Sequence, residues 1–134
     1  MFSAAQAQSQ PAPAYRRSNP QEIAAQIYQQ LPELPLENDY LSRDGTALPE
    51  DTLVSRLIRY HLYIQNRPPH FRFDWKLTMA DYLGAFEQIR PERYPSSQTL
   101  RTNALEGDRA AIAALSREQR NQLVFALFQA FTAI

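Results

Sequence analysis

The chain has 134 residues, of which 44% are hydrophobic and 21% charged, and its formal net charge at pH 7 is zero. A domain of this length buries about two-thirds of the surface that its unfolded chain exposes. The absence of cysteine excludes disulfides, thiolate metal sites and a cysteine nucleophile, and the zero net charge provides no field of one sign to attract nucleic acid or an anionic membrane.

The first residues of the chain differ from the rest in composition. They are mainly Ala, Gln, Ser and Pro, and they supply little apolar surface to offset the entropy of ordering. We therefore expect residues 1–18 to form a disordered tail and residues 19–134 to form a single helical domain. A secretory signal is not expected because a basic region and an apolar core are missing. The sequence favours a soluble protein without a membrane span, with the cytoplasm as the default compartment.

The first predicted helix covers residues 20–31. Asn19 is placed as its N-cap, Pro20 occupies the first helical position, and Glu22 is placed to complete a capping box. The apolar residues recur at helical spacing and predict one buried stripe, formed by Ile23, Ile27, Tyr28 and Leu31.

The second predicted helix begins near Pro49 and ends before the proline pair at residues 68–69. Glu50 and Asp51 lie where negative charge favours the helix dipole. The apolar stripe consists of Leu53, Leu57, His61 and Ile64, flanked by Val54 and Ile58. Before this helix, residues 32–48 are expected to be extended.

Residues 71–77 alternate between apolar and polar side chains, which is the period of a strand that is buried on one face. The apolar residues of this stretch also fit a helical stripe that continues to Ile89, so strand and helix remain alternatives. We expect an extended segment up to Leu77 and a helix from Thr78 to Ile89.

Three further helices are predicted towards the C-terminus. A short helix is expected over residues 96–104, and a second one, capped by Asp108, over residues 109–115. Ser116 and Gln119 form a capping box for the last helix, which extends close to the end of the chain. The predicted fold class is therefore mainly α: a compact helical domain of four to five helices with extended, proline-rich connections.

The chain lacks the motifs of known catalytic, metal or cofactor sites. Its two histidines, His61 and His70, have no glycine-rich elbow or metal-spaced cluster around them. We expect His61 to be a hydrogen-bonded core residue and His70 to be exposed. The three glycines are too far apart for a phosphate-binding loop. No catalytic residue, cofactor or metal is predicted, and an enzyme would need an unrecognised constellation of side chains.

Charge is unevenly distributed along the chain. Residues 19–55 contain seven acidic residues against one Arg, whereas residues 56–101 contain seven Arg and one Lys against four acidic residues. One interpretation is that the two parts face each other in the fold, or that their charges alternate around the surface. The other is that the Arg-rich part forms a partner-binding surface. A guanidinium stacks on aromatic rings and binds carboxylates with two parallel bonds. The candidate partner-binding residues are Arg56, Arg59, Arg67, His70, Arg72, Arg90 and Arg93.

Residues 68–75 concentrate aromatic and guanidinium groups, a composition found at the centre of protein interfaces. The members are His70, Phe71, Arg72, Phe73 and Trp75. The alternative is that the three large aromatic residues of this stretch fill the core between helices.

Residues 53–63 resemble the tyrosine–histidine motif that ends a helix in fasciclin-type domains, over eleven of the 134 residues. The strand motif that precedes it in that family is absent, and the C-terminus reads as helix where that family ends in strands. The sequence is therefore assigned to no family.

The sequence favours a non-enzymatic protein-binding module, an accessory, assembly or regulatory factor of a larger protein complex. The first alternative is a nucleic-acid-binding regulator that uses the same Arg-rich middle, with an affinity that falls steeply with salt. The second alternative is an enzyme with an unrecognised site.

Overall fold

A computed structural model of the protein describes residues 18–133, and it is mainly helical. In this part of the chain lie five α-helices: α1 Pro20–Gln30, α2 Leu53–Arg59, α3 Arg72–Tyr82, α4 Leu105–Ala114 and α5 Arg117–Thr132. A π-helical segment, Tyr60–Ile64, continues α2, and a 3-10 turn covers Pro91–Arg93. Regular strands are absent from residues 18–133, where two isolated bridges are the only β-type pairings. The predicted mainly α fold is confirmed, and the predicted tail lies outside the described residues except for Ser18.

The first and last helices begin where their N-caps predict, although the capping box predicted with Glu22 is not formed at α1. The Asn19 side chain accepts a hydrogen bond from the backbone N–H of Gln21 at 2.9 Å, and Pro20 opens α1. At α5, the Ser116 hydroxyl accepts from the N–H of Gln119, and the Gln119 side chain accepts from the N–H of Ser116. These local hydrogen bonds satisfy helix-end donors that would otherwise lack partners.

Helix α2 begins later than the sequence predicts. Its capping box is formed by Thr52 and Ser55, whose side chains and backbone N–H groups bond reciprocally, so the helix starts at Leu53. Pro49 lies in a turn that precedes the helix. The predicted start near Pro49 was wrong, because the capping box of Thr52 fixes the first turn of the helix at Leu53.

The prediction of an extended segment at residues 71–77 was wrong. Helix α3 already begins at Arg72, because Trp75, Met79 and Tyr82 follow the helical period and are all buried. The helix ends at Tyr82 rather than at Ile89.

The chain leaves the helical path just after α3. Gly84 has a φ of +76°, a left-handed conformation that glycine adopts without steric cost. This residue stops the helix that the apolar pattern extends further, and it directs residues 85–90 across the surface towards the 3-10 turn.

The helix expected over residues 96–104 is replaced by turns. Ser96 has a φ of +68°, which is incompatible with a right-handed helix. Helix α4 begins at Leu105, whose N–H is bound by the Asn103 side chain at 2.9 Å. Asp108 therefore lies inside α4 and is not its cap, and its carboxylate points into the interior.

The helices surround a core centred on Trp75. Helix α1 packs against α2 and α5, and α3 lies against α4 and α5. The Trp75 indole stacks on the His61 ring at 3.6 Å and on the Phe131 ring at 5.8 Å between centroids. The inner face of α5 consists of Leu123, Leu127 and Phe131, which are fully buried, and Phe128 packs against the core. None of the helices within residues 18–133 is both long and apolar enough to cross a membrane.

We predict that Ser116→Ala lowers the free energy of unfolding by about 1 kcal/mol, because the first turn of α5 loses its side-chain acceptor. The matched control is Thr132→Ala at the other end of the same helix, which should change stability by less than about 0.5 kcal/mol. Urea unfolding followed by circular dichroism measures both values. Equal losses in the two variants would contradict the capping role of Ser116.

Candidate functional site

The Arg56 side chain lies in the interior and has no exposed surface. Its Nε and one terminal nitrogen donate to the two carboxylate oxygens of Asp108 at 2.7 and 2.9 Å. The remaining hydrogen bonds go to the backbone carbonyls of Asp51 and Glu37 at 2.7 and 2.5 Å, and the Tyr40 ring covers the guanidinium at 5.3 Å. Since all these contacts are internal, Arg56 is not available to contact a partner, contrary to its predicted place on the binding surface.

Two tyrosines extend the hydrogen-bond network from Asp108. The Tyr94 hydroxyl donates to the Asp108 carboxylate at 2.5 Å, so the 2.7 Å bond between the two tyrosines must be donated by Tyr82. Burial raises the pKa of Asp108, and the Arg56 guanidinium and the Tyr94 hydroxyl oppose this rise. Burial also raises the pKa of both tyrosines well above the ordinary value. The network therefore holds one ion pair among neutral hydroxyls.

Arg59 lies at the edge of the same network and is partly exposed. Its Nη2 donates to Asp51 at 2.5 Å and to the Ser96 hydroxyl at 3.2 Å. Asp51 is also 3.5 Å from a terminal nitrogen of Arg56. An acidic residue of the first part of the chain thus pairs with Arg59 and lies close to Arg56 of the second part, which supports the interpretation that the two parts face each other.

Arg67 is the second guanidinium that the structure places inside. It donates a hydrogen bond to the Thr78 hydroxyl at 2.8 Å and forms an ion pair with Asp81, also at 2.8 Å, and only 9% of the residue is exposed. Asp81 also accepts from Tyr60 at 2.8 Å and from Gln65 at 3.2 Å. Arg67, like Arg56, contributes to the interior and not to an exposed contact surface.

His61 is a core residue, as expected from the sequence. Its Nε2 lies 3.0 Å from the carbonyl oxygen of Pro68, which can only accept, so Nε2 carries the proton. Its Nδ1 then accepts from the Thr78 hydroxyl at 2.7 Å. The pKa of His61 is lowered to about 4, chiefly by burial and also by nearby Arg67, although the Pro68 hydrogen bond and the Asp81 carboxylate act in the opposite direction. The ring is therefore neutral, and both of its nitrogens are bound.

The other candidate residues are exposed and lie at two places. His70 and Arg72 lie at the start of α3, and Arg90 and Arg93 lie on and next to the 3-10 turn that follows this helix. The structure therefore divides the predicted partner-binding residues into an interior set, a set at the start of α3, and a set at the 3-10 turn.

An exposed aromatic surface, formed by Phe71, Arg72, Phe73 and Phe125, surrounds the start of α3. The exposed fractions of the three phenylalanines are 61%, 67% and 42% in chain order. The Arg72 guanidinium lies over the Phe125 ring at 5.3 Å and so joins the two helices at the surface. Of the three aromatic residues assigned to the core in the alternative interpretation, only Trp75 is buried.

Phe125 was missed in the sequence-based prediction. It lies two residues after Leu123 and two before Leu127, which places it off the buried stripe of α5. This displacement was a signal of exposure. A shallow depression of about 540 Å³ continues from Phe125 along the outer side of the helix, lined by Arg117, Glu118, Asn121 and Gln122.

Within residues 18–133, no group of three or more His, Asp or Glu side chains is placed to hold a metal ion. Comparison of the chain with protein-family models, with curated proteins and with solved structures finds no match. The geometry of the described residues is therefore the basis for assigning a function.

We predict that Asp108→Asn lowers the free energy of unfolding by about 3 to 5 kcal/mol, because it leaves the Arg56 charge buried without its counter-ion. The control is Glu106→Gln on the same helix, where an exposed carboxylate lies 3.9 Å from Arg109. This change should cost less than about 0.5 kcal/mol. Urea unfolding at pH 7 tests both variants, and a loss below 1 kcal/mol for Asp108→Asn would refute the proposed dependence on the ion pair.

We predict that His61 makes the protein less stable as the pH falls from about 6.5 towards 4. The folded-state pKa lies below the unfolded value of 6.5, so protonation favours the unfolded chain, by about 1.4 kcal/mol per pH unit in this range. Above pH 6.5 this contribution does not change. In the His70→Gln variant the remaining imidazole resonances belong to His61, and NMR titration should give a midpoint near pH 4. A midpoint above pH 6 would be incompatible with the buried, neutral ring.

Proposed function

We propose that the protein works by binding another protein, as an accessory, assembly or regulatory factor of a larger complex, and that the aromatic surface is its contact surface. The observation that supports this proposal is the exposure of Phe71 and Phe73 beside the Arg72–Phe125 pair. Clustered aromatic and Arg side chains are enriched among the residues that contribute most to protein interfaces.

The two exposed phenylalanines add little to the folding of α3. Trp75, Met79 and Tyr82 already form the buried face of this helix. Full burial of a phenylalanine side chain stabilises a protein or complex by about 1.5 to 3 kcal/mol. Phe71 and Phe73 stay largely exposed in the isolated chain, so most of this stabilisation is still available to a complex. A partner that covers them gains it.

The charges around the aromatic surface define the chemistry of the partner. Arg72 and Lys76 are exposed and lie one helical turn apart on α3, so they project from the same side. The shallow depression beside Phe125 extends the surface along α5. We infer that the partner presents apolar side chains flanked by acidic residues, which place their carboxylates opposite these two cations.

The burial of two guanidiniums favours a protein partner over nucleic acid. Arg56 and Arg67 were part of the Arg-rich middle in the nucleic-acid alternative, and both are neutralised in the interior by Asp108 and Asp81. Fewer cations are left to contact phosphates, which supply most of the affinity for nucleic acid.

We predict that Phe71→Ser/Phe73→Ser abolishes recovery of the partner in an affinity purification from nuclease-treated lysate, read by quantitative mass spectrometry. With the purified partner, the dissociation constant should increase at least tenfold, which corresponds to about 1.4 kcal/mol. The loss is expected because the partner no longer buries the two rings.

The matched control is Phe86→Ser, which removes a phenylalanine that is 56% exposed and lies beyond the other end of α3. It should bind the partner as the wild type does, and all variants should retain the wild-type melting temperature. The proposed surface is wrong if Phe86→Ser reduces binding as much as the double variant does. It is also wrong if a parallel purification from untreated lysate recovers only nucleic acid and the nuclease-treated lysate gives no protein partner.

A further inference from the structure

Two exposed guanidiniums share one cleft at the corner that follows α3. Arg90 and Arg93 line a depression of about 250 Å³ together with the side chains of Gln65 and Gln88. Its volume is slightly below the usual range of small-molecule sites, so it suits a small polar group better than a drug-sized ligand. The cleft lies away from the start of α3 and does not include the aromatic surface.

Neither of these guanidiniums is neutralised by the described part of the chain. Within residues 18–133, neither Arg90 nor Arg93 forms an ion pair within 4.0 Å. Glu87 lines the same cleft, but its carboxylate lies 3.5 Å from Arg67, which is held inside by Asp81. Arg90 and Arg93 therefore line the cleft without an ion-pair partner among the described residues, and Glu87, which is shared with Arg67, is an acidic residue of the cleft wall.

The backbone that carries these cations is held in place. The N–H of Arg93 donates to the carbonyl of Arg90 at 3.0 Å, and the Asn103 side chain donates to the carbonyl of Pro91 at 2.8 Å. Tyr94 follows directly and is fully buried, with its hydroxyl bound to Asp108. A ligand that binds here does not have to order the main chain of the corner, which lowers the entropic cost of binding.

The floor of the cleft is polar. Tyr60 and Gln65 line it, and the Gln65 amide nitrogen donates to the Tyr60 hydroxyl at 2.8 Å. Since this amide nitrogen is engaged inside, the side-chain donors left in the cleft are the guanidiniums of Arg90 and Arg93 and the amide of Gln88. Guanidiniums match the spacing of oxygen atoms in phosphate and carboxylate groups, and two of them favour a group with two negative charges.

We propose that this cleft binds a phosphate group, either as inorganic phosphate or as the phosphate ester of a small molecule, with Arg90 and Arg93 as its ligands. This site is separate from the aromatic surface, so it does not depend on the proposed protein partner.

The test is an NMR titration of the whole protein with inorganic phosphate, glycerol 3-phosphate and acetate, observing the backbone amides and the Arg Nε–H resonances. We expect saturable shifts at residues 88–93 with both phosphate compounds and at least tenfold weaker binding of acetate. Tighter binding of glycerol 3-phosphate than of inorganic phosphate would assign the site to an ester, and equal binding to the free ion.

The decisive variant is Arg90→Gln/Arg93→Gln, which should weaken phosphate binding at least tenfold. Arg43→Gln/Arg101→Gln removes two exposed cations that line neither proposed site and serves as the control for general attraction, so it should bind as the wild type does. Glu87→Gln removes the negative charge on the cleft wall and should tighten binding severalfold, which keeps the test informative if the first variant is unstable. Shifts that do not saturate, equal losses in both double variants, or acetate binding as tightly as phosphate would overturn the proposal.

Discussion

The ion pair between Arg56 and Asp108 is the constraint on which the rest of the structure depends. Two charges without solvent contact are tolerated only if their remaining hydrogen-bonding capacity is satisfied. The structure meets this requirement with the carbonyls of Glu37 and Asp51 on one side and the Tyr94 hydroxyl on the other. The pair therefore joins α2 and α4, and it also fixes the loop before α2 and the turns before α4, segments with no regular secondary structure of their own.

Because several polar residues are buried, the surface of the protein differs from the one that its amino-acid composition predicts. Arg56 and Arg67, two of the thirteen Arg residues, are used to satisfy Asp108 and Asp81. His61 is likewise used inside, where it bonds Thr78 and stacks on the only Trp. The outside carries exposed phenylalanines and single cations beside most of the acidic side chains. This division favours recognition of a specific protein surface over diffuse attraction to a polyanion.

Some signals that act within one helical turn were predictable from the sequence, although the equally local Thr52–Ser55 capping box of α2 was missed. Contacts that depend on distant partners were not predictable. The Asn19 and Ser116 caps placed α1 and α5, because capping bonds span only a few residues. The position of Arg56 could not be assigned, since Asp108 lies 52 residues away in sequence. One clue was present: Arg56 follows Leu53 by three residues and so lies on the apolar stripe of α2. At residues 71–77 the apolar residues fit both the strand period of two and the helical period of 3.6, so the local pattern does not distinguish a strand from a helix.

Helix α3 connects the interior with both proposed binding sites. Trp75 and Asp81 anchor it in the core, one through ring stacking and one through the bond to Arg67. Its first turn carries Arg72 and Phe73 of the aromatic surface, and the segment after its last turn leads to Arg90 and Arg93. Because the same buried contacts immobilise the helix along its length, both sites are displayed on a framework that does not need to be ordered on binding. Rigid presentation of this kind leaves more of the contact free energy available as affinity, and it lets a small number of exposed side chains form a specific site.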